Sequence, residues 1–90
     1  MAHSVLVVVG STAVTARARN TSRRSLGIIN DGSAIVYCTV DDATATANSG
    51  IRLAAAGTTG DRVFFDVNVP LGAVSCISAL GSQVLLFEGR

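Results

Sequence analysis

The sequence predicts an all-β protein, a small β-sandwich or barrel of seven to eight short antiparallel strands. Three observations predict this class. Short runs of β-branched residues alternate with turn residues every eight to twelve positions. Several runs alternate apolar and polar residues with period two. No stretch of useful length has helical periodicity, and the 90 residues suit a single β domain over 1–90 with a thin core.

The first predicted strand, residues 4–9, is a continuous apolar run that ends before Gly10. Such a run is typical of a strand that is buried on both faces or covered by a partner. An uncovered apolar edge pairs with another chain. We therefore expect Val5, Val7 and Val9 to contact a partner, and residues 1–22 to include a strand or arm used in assembly.

Residues 12–19 alternate small residues with arginine, which predicts a strand with one basic face. The chain has no lysine, and its net charge is only +1, which gives no strong attraction to nucleic acid or an anionic membrane. The arginines either dock on an acidic neighbour or form a solvated strand face. The candidate interface residues in this region are Arg17, Arg19, Arg23 and Arg24.

A hairpin is predicted where residues 24–30 and 34–40, both rich in β-forming residues, flank Asn30-Asp31-Gly32. Glycine tolerates positive φ, and Asn and Asp tolerate it better than most residues, so the tripeptide suits a reversal of the chain.

The second half of the chain predicts a surface loop and further short strands. Residues 41–50 are small and polar and predict the loop, followed by a strand at 51–53. In the strand predicted at 62–69, Phe64 falls on the otherwise polar face. Its ring either packs against a second layer, contacts another subunit or is an ordinary half-buried ring. The last strands are predicted at 73–79 and 83–88.

Cys38 and Cys76 each lie in an apolar β-like run. Such cysteines usually behave as small core residues. Free buried thiols are the favoured prediction, because a cytosolic environment disfavours disulfides, but two cysteines permit one pairing and a bridge stays open.

Groups that could perform catalysis are sparse, and we expect no enzyme, no cofactor and no small-molecule substrate. His3 is the sole histidine and lies near the chain start. Asp41 and Asp42 lack the spacing of a calcium loop, and the cysteines lack zinc-site spacing, so no metal site is expected. Because the arginines have no interleaved aromatics, nucleic-acid binding is not expected. No run reaches the length of a membrane helix, and no signal peptide is recognisable, so we expect a soluble protein made in the cytoplasm.

The order and spacing of several segments resemble a family of small structural proteins of tailed-phage virions. The resemblance covers about three-quarters of the chain. Its motifs are Asn20, Arg23-Arg24-Ser25-Leu26, Ile28, Asn30, Gly32, Val36-Tyr37, Asn48-Ser49-Gly50-Ile51-Arg52-Leu53, Gly57, Ala73-Val74-Ser75-Cys76-Ile77-Ser78-Ala79 and Val84-Leu85-Leu86-Phe87-Glu88. The chain departs from that pattern at Gly27, where a β-branched or polar residue is usual.

This resemblance implies a non-enzymatic protein that decorates or cements the capsid exterior, with the major capsid protein and copies of itself as partners. A trimer at local threefold positions is one arrangement it allows, and a head-fibre or neck accessory is another. The runner-up function is a receptor- or glycan-binding module with an exposed aromatic platform around Tyr37 or Phe64.

Overall fold

Eight antiparallel strands in two four-stranded sheets form the structure, which confirms the predicted all-β class. The computed structural model describes residues 2–46, 50–66 and 68–89, with the backbone alone at residues 2 and 3. The strands are β1 (Ala2–Val9), β2 (Val14–Arg17), β3 (Ser25–Asn30), β4 (Val36–Thr39), β5 (Ile51–Leu53), β6 (Arg62–Phe65), β7 (Val74–Ile77) and β8 (Ser82–Gly89). No helix that could cross a membrane occurs in these residues.

The strand order defines the topology. The first sheet has the order β1-β8-β3-β6 and the second sheet has the order β2-β7-β4-β5. Among the described strands only β4 and β5 are consecutive in the chain and paired in one sheet; the other connections cross between sheets. This is the strand order of a jelly roll, in which the chain passes repeatedly between two four-stranded sheets.

The predicted hairpin at Asn30-Asp31-Gly32 is wrong. β3 belongs to the first sheet and β4 to the second, so the tripeptide begins a crossover between the layers. Gly32 does not have the positive φ that a hairpin turn of this kind uses. It is needed for space instead, because a Cβ at Gly32 would lie 2.9 Å from the backbone nitrogen of Gln83.

Asn30 organises this crossover from a fully buried position. Its amide nitrogen donates to the carbonyls of Ala34 at 2.7 Å and Ala54 at 2.8 Å. Its side-chain oxygen accepts the Gly32 N–H at 3.1 Å and the Ser82 hydroxyl at 2.8 Å. One side chain therefore ties the start of the crossover to the ends of two other strands.

The core between the sheets consists of aliphatic residues and both cysteines, as the low aromatic content predicts. Its fully buried members include Ile28, Val36, Val74 and Val84. Both thiols are free and buried.

Three strands differ from their predicted form. β1 is an edge strand with alternating exposure, which excludes burial on both faces within the chain, while its cover by a partner stays a prediction. β2 ends at Arg17, and its register with β7 shifts between Thr15 and Arg17, so the basic alternation predicted to residue 19 does not continue. β6 ends at Phe65 instead of residue 69, and residue 67 of the predicted strand lies outside the described residues.

Candidate docking surface

The outward side of the first sheet carries an apolar surface that is bordered by Ser4, Gln83 and Arg62 in the same rows. The pairing register places Leu6 beside Leu85, and Leu85 beside Ile29. A second row runs from Phe87 across Gly27 to Phe64 on the far edge. Val8 extends the surface along β1. We call this surface the outer face; its members are Leu6, Val8, Ile29, Phe64, Leu85 and Phe87.

The outer face exposes large side chains that a soluble monomer would normally cover. Val8 is 76% exposed, Phe64 59%, Leu6 52% and Phe87 37%. Single exposed apolar residues need no explanation, but a contiguous set on one sheet face marks an interaction site. β1 adds an unpaired eight-residue edge without charged residues on its described side chains, which is the kind of edge that pairs with another chain.

Gly27 lies between two aromatic residues of neighbouring strands, Phe64 and Phe87. A Cβ at Gly27 would lie 2.6 Å from the ring of Phe64, which is too close for a real contact, whereas its 3.6 Å distance to the ring of Phe87 is an ordinary one, so glycine is needed here for Phe64. The rings cover the exposed backbone of β3 at this point.

A groove of about 350 Å³ opens beside these rings. Ser25, Phe64, Asp66 and Phe87 line it together with the backbone of β3. It combines apolar walls with a hydroxyl and a carboxylate.

The predicted arginine patch is divided by the structure into an internal cluster and an exposed pair. Arg17 Nε donates to Glu88 Oε2 at 2.8 Å, and Arg23 Nη2 donates to the same oxygen at 3.2 Å. Asn20 donates to the other carboxylate oxygen. We call Arg17, Asn20, Arg23 and Glu88 the Glu88 cluster.

Arg23 is the central cation of this cluster, and its side chain is fully buried. Its guanidinium also donates to the carbonyls of Pro70 at 2.6 Å, Gly72 at 3.0 Å and Ala18 at 3.0 Å. The cluster therefore fastens the end of β8 to the β2–β3 connection and to the loop before β7. Arg23 has no surface to offer a partner, so its predicted role as an interface residue is wrong.

The pKa of Glu88 reflects these contacts. Burial by itself raises the pKa of a carboxyl group. The hydrogen bonds from Arg17 and Asn20 and the charges of Arg17 and Arg23 outweigh that effect, so the pKa of Glu88 lies below its ordinary value. The carboxylate is thus held ionised inside the domain.

Arg19 and Arg24 remain exposed. Arg19 Nη1 lies 2.7 Å from Asp42 Oδ2, with both side chains more than half exposed. A backbone hydrogen bond from Ala73 and the charge of Arg19 lower the pKa of Asp42. Asp41 accepts the Gly72 N–H at 3.3 Å and Asp42 the Ala73 N–H at 2.7 Å, so this predicted surface loop is pinned beside β7. That these cations contact a partner stays a prediction.

The alternating exposure along β1 contradicts part of the predicted interface. Val9 is fully buried in the core, and Val5 and Val7 pack against it, so these inward residues are not the exposed side of the strand. Leu6 and Val8 point outward instead. Phe64, by contrast, is exposed on the outer face, and its contact with a subunit stays a prediction.

Two structural residues were missed from the sequence although signals existed. Glu88 continues the inward alternation of Val84 and Leu86, so period two places a carboxylate among core positions and calls for a buried cation. Asn30 follows buried positions of β3 in the same way. Neither signal identifies which cation or which carbonyls are the partners.

No group of three potential metal ligands occurs among the residues that the structure describes. Comparison with known proteins found no matching family model, no matching curated protein and no matching solved structure.

Proposed function

We propose that this chain is a non-enzymatic structural module of a tailed-phage virion, which decorates or cements the capsid by docking many copies through the outer face. Its partners are copies of itself and the major capsid protein, and its place is the exterior of the particle. The observation that carries the proposal is the contiguous exposed apolar set formed by Leu6, Val8, Phe64 and Phe87.

The energetics of the outer face favour permanent assembly. Fully burying a large apolar side chain contributes about 1.5–3 kcal/mol, and four such side chains share one face. The uncharged edge of β1 offers backbone groups beside that face for strand pairing with a neighbour. Obligate interfaces are apolar in this way.

Two further points support the setting on a virus particle. Jelly rolls occur in viral capsid proteins, although the same fold also serves lectins and cupins, so it is support by analogy only. The sequence resemblance to small virion structural proteins is the second point.

The first test measures self-association. Sedimentation velocity over a concentration series should show oligomers for the wild type and a shift towards monomer for Leu6→Ser and Phe64→Ser. Leu80→Ser is the matched control, because Leu80 is 90% exposed but lies in the turn before β8. A wild type that stays monomeric at every concentration, or an equal effect of Leu80→Ser, contradicts docking through the outer face.

The second test concerns the particle. Phage shells produced with and without the chain should differ in resistance to heat and low salt, and electron microscopy should show added density on the exterior when it is present. Shells of equal resistance count against cementing.

A glycan- or receptor-binding module is the second candidate, favoured by the groove beside Phe64. An aromatic ring next to a hydroxyl and a carboxylate suits a sugar, with the ring against its apolar face. Asp66→Asn separates the candidates: it should abolish glycan binding measured by calorimetry and leave self-association unchanged. Tyr37, the other expected platform residue, is half-buried.

A further inference from the structure

The two cysteines face each other in the middle of the second sheet. Cys38 on β4 and Cys76 on β7 are direct partners in the antiparallel register. Directly opposed residues of an antiparallel pair have Cα atoms about 4.5–5.5 Å apart, which lies within the range that disulfides span. The backbone therefore needs no rearrangement to accept a bridge.

The side chains are also directed at each other. The two Sγ atoms lie 2.7 Å apart, and both residues are completely buried. A covalent S–S bond is about 2.05 Å long. The sulfur atoms therefore need to approach by only about 0.65 Å to reach bonding distance. Val14 and Ile51 flank the pair on the same row of the sheet.

We propose that Cys38 and Cys76 form an intramolecular disulfide that joins the two central strands of the second sheet when the chain meets an oxidising thiol–disulfide couple. A disulfide such as oxidised glutathione is the oxidant. One cysteine thiolate attacks it to give a mixed disulfide and one reduced glutathione; the second thiolate then attacks the protein sulfur and releases another. The two thiols lose two protons and two electrons, and the oxidant takes them up.

Burial controls when this bridge forms. The neighbouring thiol and burial raise the pKa of Cys38, so little of this thiol is ionised in the folded protein. Both sulfurs are buried, so glutathione cannot reach them without opening of β4 and β7. Oxidation therefore occurs during folding or local opening, and once formed the bridge is protected from reductants in the same way.

The bridge constrains a long loop. The two cysteines are 38 positions apart, so closing the loop removes much conformational freedom from the unfolded chain. We expect the oxidised form to melt about 15–20 °C higher than the reduced form. Because the pair lies in the core of the second sheet, away from the outer face, its oxidation is independent of the proposed docking.

The test uses the full chain, unfolded and refolded either in a glutathione redox buffer or in dithiothreitol. After refolding in glutathione, mass spectrometry of the monomer should show the loss of two hydrogens, and thiol titration in denaturant should find no free thiol. Thermal unfolding followed by circular dichroism should show the higher melting temperature. Cys38→Ala and Cys76→Ala are the controls. In the chains of each variant that are not linked covalently to another chain, one titratable thiol should remain.

A monomer that refolds in the glutathione buffer with both thiols intact would overturn the proposal. So would a bridged monomer that melts at or below the temperature of the reduced form, because the register would then not accommodate the bond. Bridges found only between chains would overturn it as well.

Discussion

Neutralising Glu88 should destabilise the domain far more than breaking an ion pair of similar length at its surface. In Glu88→Gln, Arg23 keeps its charge in a fully buried position but loses the carboxylate 3.2 Å away. Removing one member of a buried pair costs about 3–5 kcal/mol. Because Arg23 still donates to three backbone carbonyls, we expect the lower end, about 3 kcal/mol.

This loss is large for a chain of this size. Domains of this kind are stable by about 5–10 kcal/mol, so a third or more of the free energy of unfolding depends on one carboxylate. The corresponding fall in melting temperature is about 15 °C. Urea unfolding and thermal unfolding, both followed by far-ultraviolet circular dichroism, measure the change.

Arg19→Ala is the matched control. It removes the Arg19–Asp42 pair, whose atoms are 2.7 Å apart but whose side chains are more than half exposed. We expect a change in melting temperature of less than about 3 °C, because solvent screens exposed pairs. If Glu88→Gln melts within a few degrees of the wild type, or if Arg19→Ala costs as much, the cluster does not hold the sandwich together.

Three other expectations concern acid, the crossover and the outer face. Because the pKa of Glu88 is lowered in the folded state, its stabilising contribution is complete above the ordinary value of 4.5 and is lost as pH falls through the folded value. In urea titrations, the difference in free energy of unfolding between wild type and Glu88→Gln should therefore narrow below pH 4.5. A difference that stays constant with pH would refute the lowered pKa. Asn30→Ala should lower the free energy of unfolding by about 2–4 kcal/mol in urea, since it leaves buried carbonyls without donors, whereas an effect below about 0.5 kcal/mol would show that water replaces the amide. Gly27→Ala should destabilise the wild type by about 1–3 kcal/mol because its Cβ meets the Phe64 ring, and much less in a Phe64→Ala background; equal costs in both backgrounds would mean that the ring is not the obstacle.

Period-two patterns predicted the class of fold, because an antiparallel sandwich requires each strand to present one face to the core. β5 was predicted with its observed bounds, and β3, β4, β7 and β8 within about two residues at each end. The layer to which each strand belongs was not predictable from local pattern. Asn30-Asp31-Gly32 is an example, because the same residues suit a hairpin and a crossover. Here the crossover is held by contacts with Ser82 and Gln83, which lie far away in the sequence.

The candidate surface was predicted less well than the fold. An unbroken apolar run carries no alternation, so the sequence does not show which side of β1 faces the core, and the contact predicted for Val5, Val7 and Val9 falls on the inward side. The closeness of the arginines in sequence predicts a single basic patch. Arg17 and Arg23 instead turn inward to Glu88, more than sixty positions later, and such a long-range pair leaves no local signal.

Phe64 interrupts an otherwise polar strand face in the sequence, which predicts an unusual role for it. In the structure it is exposed on the outer face. A local departure from an otherwise clean pattern was thus more informative than a run that obeys the pattern throughout.

Amide hydrogen exchange of the chain, free in dilute solution and bound in its assembled form, tests docking through the outer face most directly. Docking there predicts added protection in β1 and β6, the two edges of the first sheet, and unchanged exchange around Leu80 and in the loop at 54–60. Added protection confined to β2 and β5, the edges of the second sheet, would contradict it.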